Sequence, residues 1–249
     1  MAGMARYDFN MQRMYIDGDL AAGAAITCTP EQTNYLRNVL RMRPGEPVLV
    51  FNGREGEWRA ELAEGSKRAA ALLVASQVRP QESGPDIDYL FAPLKRARLD
   101  YMVQKAVEMG VARLRPVLTR FTTPERVNME RMRANAIEAA EQCGILRIPE
   151  LHQPAKLESV IAAWDAARTL IFCDEGSDTA DPLAVLGSLP PGPLALLIGP
   201  EGGFADAERE LLASKPFVAR ISLGARILRA DTAAVAALAL VNAALGDWR

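Results

Sequence analysis

The sequence predicts a two-part α/β protein: a small β-barrel over residues 1–80, then an α/β domain with a mostly parallel sheet over residues 84–249. Three observations predict it. Short strand signals and one helix fill the first eighty residues, which suits a small barrel. Residues 78–86 (VRPQESGPD) are polar and broken by Pro and Gly, as domain linkers are. Beyond them, apolar strand-length runs alternate with amphipathic helix-length stretches, the rhythm of βαβ units.

Taken in order, residues 30–41 suit one short helix with Tyr35, Leu36, Val39 and Leu40 on its apolar side. Residues 47–51 (PVLVF) read as a strand, Asn52-Gly53 as a turn and residues 58–62 (WRAEL) as an alternating strand, which together signal a hairpin. Residues 69–78 read as a further strand. In the second part, strands are predicted over 87–92, 114–118, 169–173, 194–198 and 219–223, and helices over 99–109, 128–143, 206–214 and 233–245. The last helix has no charged residue on any face, so it is expected to be buried nearly all round, against another chain or under a loop. Gly246 fits its C-cap.

Composition narrows the function. With 49% hydrophobic and 24% charged residues, the chain of 249 is ordinary globular material. No apolar run reaches the roughly 18 to 20 residues of a membrane span, and MAGMARYDFN lacks the apolar stretch of a secretory leader. Cys28, Cys143 and Cys173 match no zinc or redox spacing and read as small buried hydrophobes in a reducing compartment. A soluble cytoplasmic protein, without membrane contact, is expected. The single histidine, His152, excludes multi-histidine metal sites, and it lies in an apparent loop with no nucleophile motif nearby. No metal is expected. The net charge is −2, but residues 94–147 hold eleven Lys or Arg against six Asp or Glu, while residues 148–249 hold eight against thirteen. A local basic patch can bind phosphate under an acidic total, although a solvated helix face gives the same count.

Two glycine-punctuated loops carry most of the functional information. LLIGPEGGF (residues 196–204) and SLGARILRADTA (residues 222–233) each read as strand, loop, then helix, about twenty residues apart. In open α/β sheets ligands lie beyond the carboxyl ends of strands, so two strand ends deliver two loops to one place. Glycines let a ligand approach the backbone, and a tight βα turn uses them as well. The loops match neither G-x-G-x-x-G nor G-x-x-x-x-G-K-[ST], so nucleotide-phosphate cradles lack support. Arg226 and Arg229 sit among small and apolar residues, where they would serve salt bridges or bind and polarise an anionic group. Asp231 or Thr232 is placed to cap the last helix.

GPEGGF followed by acidic residues, and then LGARILRADTA, closely resembles the C-terminal signature of the bacterial 16S ribosomal RNA uridine-N3 methyltransferases. The resemblance extends over nearly the whole chain, through Arg13-Met14-Tyr15, VLRMRPGEPVLVFNG (residues 39–53), KRARLDYMVQKAVEMGV (residues 95–111) and EQCGILRIPE (residues 141–150). It implies a PUA-like RNA-binding barrel followed by a SPOUT domain whose C-terminal trefoil knot binds S-adenosylmethionine. It further implies a homodimer acting on 16S ribosomal RNA of the small ribosomal subunit.

On this resemblance the cofactor-binding residues are Leu197, Ile198, Gly199, Pro200, Glu201, Gly202, Gly203, Leu223, Gly224, Arg226, Ile227, Leu228 and Thr232. RNA would meet Arg13, Arg37, Arg41 and Arg43 on the barrel and Lys95, Arg96, Arg98 and Arg120 on the second domain. Uridine N3–H is a weak acid. Arg229 is the candidate stabiliser of the uracil anion, and Glu201 or Asp231 acts as base or orients an arginine. The chain departs from the family pattern at Asn34, Ile145, Ala205 and Asp231, and Ala205 lacks the hydroxyl that would cap its helix. The same residues also fit a SPOUT methyltransferase of another RNA, or a silent RNA-binding ribosome-assembly factor.

Overall fold

The computed structural model describes residues 11–64, 69–123, 126–176 and 181–248. They form two compact units, one up to Ser83 together with Ala140–Ile148, the other comprising Gly84–Ala139 and Pro149–Arg249.

The first unit is a five-stranded sheet in the order β1 (Arg13–Tyr15), β3 (Pro47–Phe51), β4 (Glu57–Leu62), β5 (Ala71–Arg79), β2 (Ala25–Thr27). The predicted hairpin is β3–β4, with Val48 opposite Ala60 and Val50 opposite Trp58. β1 runs parallel to β3, and β4–β5 carries two register shifts that bend the sheet. Met14, Ile16, Cys28, Leu36, Val50, Ala60 and Leu72 share one core. The helix α1 (Pro30–Asn34) starts with Pro30 and a capping box between Thr29 and Gln32, then widens into a π-turn over Tyr35–Val39. That widening rotates Val39 off the apolar side, and it is 60% exposed. Ala140–Ile148 joins this unit because Glu141 accepts the Tyr15 N–H (2.8 Å) and Arg79 donates to the Gly144 carbonyl (2.8 Å).

The second unit is a parallel sheet in the order β12 (Val218–Ile221), β10 (Thr169–Cys173), β11 (Leu194–Ile198), β6 (Ile87–Phe91), β7 (Arg113–Leu118), β8 (Glu150–Leu151), with β9 (Ala155–Lys156) also on β7. The central strands β6 and β11 are buried along their whole length, as helices on both faces require. The helices are α2 (Arg96–Glu108), α3 (Met129–Cys143), α4 (Leu157–Ala162), α5 (Pro182–Gly187), α6 (Asp206–Ala213) and α7 (Ala230–Leu245). Asp88, buried in β6, is neutralised by Arg113 (2.7 Å), Arg115 (3.0 Å) and Arg168 (3.3 Å). Burial works against a charge on neighbouring Asp86, but hydrogen bonds from Arg168 and Arg113 outweigh it and hold the carboxyl below its ordinary pKa.

Two expectations are corrected. α7 begins at Ala230, with Arg229 in the N-cap position making no side-chain cap bond, so Asp231 lies inside the first turn and does not cap the helix. Its burial within one chain is one-sided, which leaves the expected covering by another chain untouched. Ala233, Ala234, Ala237, Leu238 and Val241 face inward, while Val235, Ala236, Ala239 and Leu240 form a half-covered apolar stripe. Cys143, read as buried, is exposed at the end of α3.

Candidate functional site

The carboxyl ends of β6, β7, β10, β11 and β12 all point to one side of the parallel sheet, and their loops build the site. The loop after β11 is anchored by Phe204, which stacks edge-on against Phe172 of β10 (4.9 Å between ring centroids). A Cβ on Gly199 would lie 2.3 Å from that ring. Gly199 is therefore required by the packing of Phe204. The Gly203 N–H donates to the Pro200 carbonyl (2.9 Å), closing a tight turn that leaves Glu201 and Gly202 at its exposed tip. Gly203 takes φ +71°, and Gly224 in the loop after β12 takes φ +94° with open space where a Cβ would go.

Glu208 of α6 is 5% exposed and joins two loops, accepting the Ala205 N–H (2.9 Å) and the Arg120 N–H (2.8 Å). It supplies the glutamate arm of a capping box that Ala205 cannot complete. A second clamp was not read from the sequence. Asp174, 1% exposed at the end of β10, is paired with Arg209 of α6 and with Arg220 of β12 (2.6 Å). Arg209 also reaches Glu175 (2.6 Å) and the Phe204 carbonyl (3.2 Å), tying the β10 loop to the β11 loop. The signal was present, since DEG (residues 174–176) follows the apolar run TLIFC as a third strand-end loop.

Arg98 of α2 is the cross-link between the two predicted loops. Its guanidinium meets Glu201, and its Nε stands 3.5 Å from the buried Asp231. Arg229 stands 3.9 Å from Asp231, and its side chain is 70% exposed. Arg98, read from the sequence as an RNA contact, is thus engaged with the two candidate catalytic carboxylates. It lines a cleft of about 80 Å³ with Pro93, Leu94, Lys95, Phe121, Thr123, Pro200, Glu201 and Gly202. Beneath the loops, Tyr89 is buried with its hydroxyl donating to the Met102 sulfur (3.1 Å). Burial, and then Cys173 and Asp231 nearby, raise its pKa well above the ordinary range. Burial also pushes the Cys173 thiol up.

The remaining site residues divide. Gly224, Arg226, Ile227 and Thr232 are exposed, Ile227 at 95%, whereas Leu223 and Leu228 are half-buried. Leu197 and Ile198 are core side chains and offer a ligand only backbone. Arg41, Arg43, Lys95, Arg96 and Arg120 are exposed, and Arg37 is half-buried. Arg41 holds φ +55°, an uncommon conformation for a residue with a side chain. Arg13 is corrected. It is 8% exposed and paired with Glu57 (2.8 Å), so its charge is already used inside the first unit. His152 stands on the sheet edge beside Glu150 (3.3 Å). Among the described residues no group of three or more His, Cys, Asp or Glu side chains is arranged to hold a metal, and no helix is long and apolar enough to cross a membrane.

Residues 81–242 match the family model for an RNA methyltransferase domain, and residues 29–74 that for an RNA methyltransferase PUA domain. The ribosomal RNA small subunit methyltransferase E of Synechocystis sp. is 32% identical, covering 94% of this chain and 78% of its own. That of Rickettsia conorii is 29% identical, covering 92% and 94%. Among solved structures, a Legionella pneumophila protein in complex with the bound cofactor SAM superposes with a TM-score of 0.82 at 32% identity, over 95% of this chain and 99% of the other. The Neisseria gonorrhoeae ribosomal RNA small subunit methyltransferase E bound to S-adenosyl methionine gives 0.84 at 27%, over 96% and 100%. With well over half its length matched by one family model, and relatives similar almost from end to end, the chain belongs to the RNA methyltransferase family.

Proposed function

We propose that this protein is an S-adenosylmethionine-dependent methyltransferase that modifies N3 of a specific uridine in 16S ribosomal RNA of the small ribosomal subunit. The observation that carries the reading is the pair of strand-end loops after β11 and β12, joined through Arg98, in a fold shared over almost the whole chain with two SAM-bound structures.

The loops fit the cofactor. Gly202 and Gly224 present exposed backbone, and Ile227 offers an apolar side chain that is 95% exposed, as suits an adenine ring held largely by main-chain groups and apolar contact. We assign the cofactor-binding surface to 197–203, to Leu223, Gly224 and 226–228, and to Thr232, with backbone alone from Leu197 and Ile198. When bound, the cofactor supplies an electrophilic methyl group. The protein must hold a uridine N3 in line with it and favour loss of the N3 proton. Positioning provides much of such an acceleration. To Arg229, exposed and only loosely associated with Asp231, we assign the role of favouring negative charge on the uracil oxygens. Arg98 occupies Glu201 and Asp231, so these carboxylates act first by fixing the loops. N3 lies on the pairing edge of uracil, so the base must leave its stack to be reached.

The finer architecture follows the same reading. A trefoil knot is supported by the path of the chain after β12. β12 is the edge strand beside β10, yet α7 returns to pack on α2, α5 and β11. A closed PUA-like barrel is supported by the single core shared by β1 and β3 to β5, and domains of 1–80 and 84–249 by the two family matches. RNA contacts are assigned to Arg37, Arg41 and Arg43 on the first unit and to Lys95, Arg96 and Arg120 on the second. A homodimer through the outer stripe of α7, and a cytoplasmic location beside the ribosome, complete the proposal.

Calorimetry of the purified protein after chelation tests the cofactor assignment. Saturable heat on titrating S-adenosylmethionine is expected without metal, and folded protein giving no heat at high micromolar cofactor would refute it.

A further inference from the structure

The cleft has one wall that the loops alone do not explain. Phe121 is 51% exposed although its backbone is fixed on both sides. The Thr119 N–H donates to the Thr122 hydroxyl (2.9 Å), the Thr122 N–H returns to the Thr119 carbonyl (3.2 Å), and the next N–H, of Arg120, is held by buried Glu208 (2.8 Å). An exposed aromatic on a pinned loop loses water-excluding contact with no gain in chain freedom, so an occupant is the economical explanation. Opposite it, Gly202 is bare. A Cβ there would come within 3.3 Å of the Phe121 Cβ, so the aromatic side chain adjoins the tip of the β11 turn. The rest of the wall carries Lys95, and Arg98 with Glu201, the carboxylate it holds. A flat apolar face beside the exposed ammonium of Lys95 suits a planar base attached to phosphate.

We propose that Phe121 is the stacking platform for the extruded target pyrimidine, with the cleft between Phe121 and the Pro200–Gly202 turn receiving its edge. This rests on the methyltransferase reading. Stacking tolerates any base, so Phe121 supplies affinity and orientation, and choice of uridine falls to the polar groups around it.

The test uses full-length protein with Phe121→Ala, Phe121→Tyr and Phe121→Trp, assayed for methyl transfer to small subunits from cells lacking the protein. Phe121→Ala is expected to lower kcat/KM for the RNA by about tenfold to a hundredfold. Cofactor affinity, melting temperature and oligomeric state should be unchanged, and Phe121→Tyr should restore most of the rate. In Phe121→Trp, the added indole fluorescence should be quenched by the RNA and much less by the same RNA lacking the target base. Unchanged kcat/KM in Phe121→Ala, or quenching that ignores the missing base, would overturn the proposal. A loss of cofactor affinity would assign the ring to the cofactor, and a change of oligomeric state would assign it to a second copy. Each of those results also overturns it. Wild-type protein that transfers no methyl group would instead refute the function on which the proposal stands.

Discussion

Arg98 and Arg229 differ in what holds them, and the difference sets what each can do. Arg98 is engaged with Glu201 and with Asp231, carboxylates delivered by two separate segments, while Arg229, among the described residues, pairs with Asp231 at 3.9 Å and leaves 70% of its side chain to solvent. Arg98→Ala leaves the buried Asp231 short of a counter-charge and frees the β11 turn. It is expected to lower the melting temperature and weaken cofactor binding together. Arg229→Ala is expected to spare both while cutting the rate of methyl transfer by ~10² or more, the scale of one lost charge-stabilising donor. Arg229→Lys should recover little, because an ammonium lacks the planar fork. Calorimetry, thermal melting and single-turnover transfer separate the two arginines. Near-normal transfer by Arg229→Ala would remove it from the chemistry. Residue types and spacing made these side chains visible in the sequence, but not their partners. Arg98 and Arg13 look like free cations there, and only the fold brings Glu201, Asp231 and Glu57 to them.

The elements near the site were mostly legible, because β6, β10 and β11 are apolar runs between breakers and α2 has a clear 3.6-residue stripe. Boundaries were less so. α7 begins three residues before the predicted start because the loop hands over to the helix without a side-chain cap, so the usual start signal is absent. The clamp on Asp174 was hidden for another reason. Arg209, Arg220 and Asp174 come from three elements, and no local pattern links them. Glu208 shows what such a clamp is worth. It satisfies one N–H from each of two loops while nearly buried. Glu208→Ala should cost about 2 kcal/mol of stability through two donors left unpaired, and loosen the Thr119–Thr122 turn. Chemical denaturation checks the first. Hydrogen exchange at the Arg120 amide checks the second, and unchanged protection there would show that the loop does not depend on Glu208.

Over the whole molecule, the two-part plan was legible from the polar linker and the change of rhythm after it. The placement of Ala140–Ile148 with the first unit was not, since Glu141 and Gly144 reach it by contacts more than sixty positions away in sequence. The uncharged last helix separates folding from association. Ala237 is fully buried within one chain, so a charge there tests folding, whereas Leu240 on the half-covered stripe tests a dimer. Leu240→Glu is expected to yield a folded monomer by light scattering from a dimeric parent. A parent that scatters as a single 27.1 kDa chain at all dilutions would contradict the dimer.

Methyl transfer to N3 of one uridine of 16S ribosomal RNA is read out by mass spectrometry of that RNA from cells with and without this protein. A single 3-methyluridine should disappear without the protein and return on its re-expression, but not on re-expression of Arg229→Ala. Identical 16S ribosomal RNA modification in both cells, or a lost methyl group on a different RNA, would contradict it.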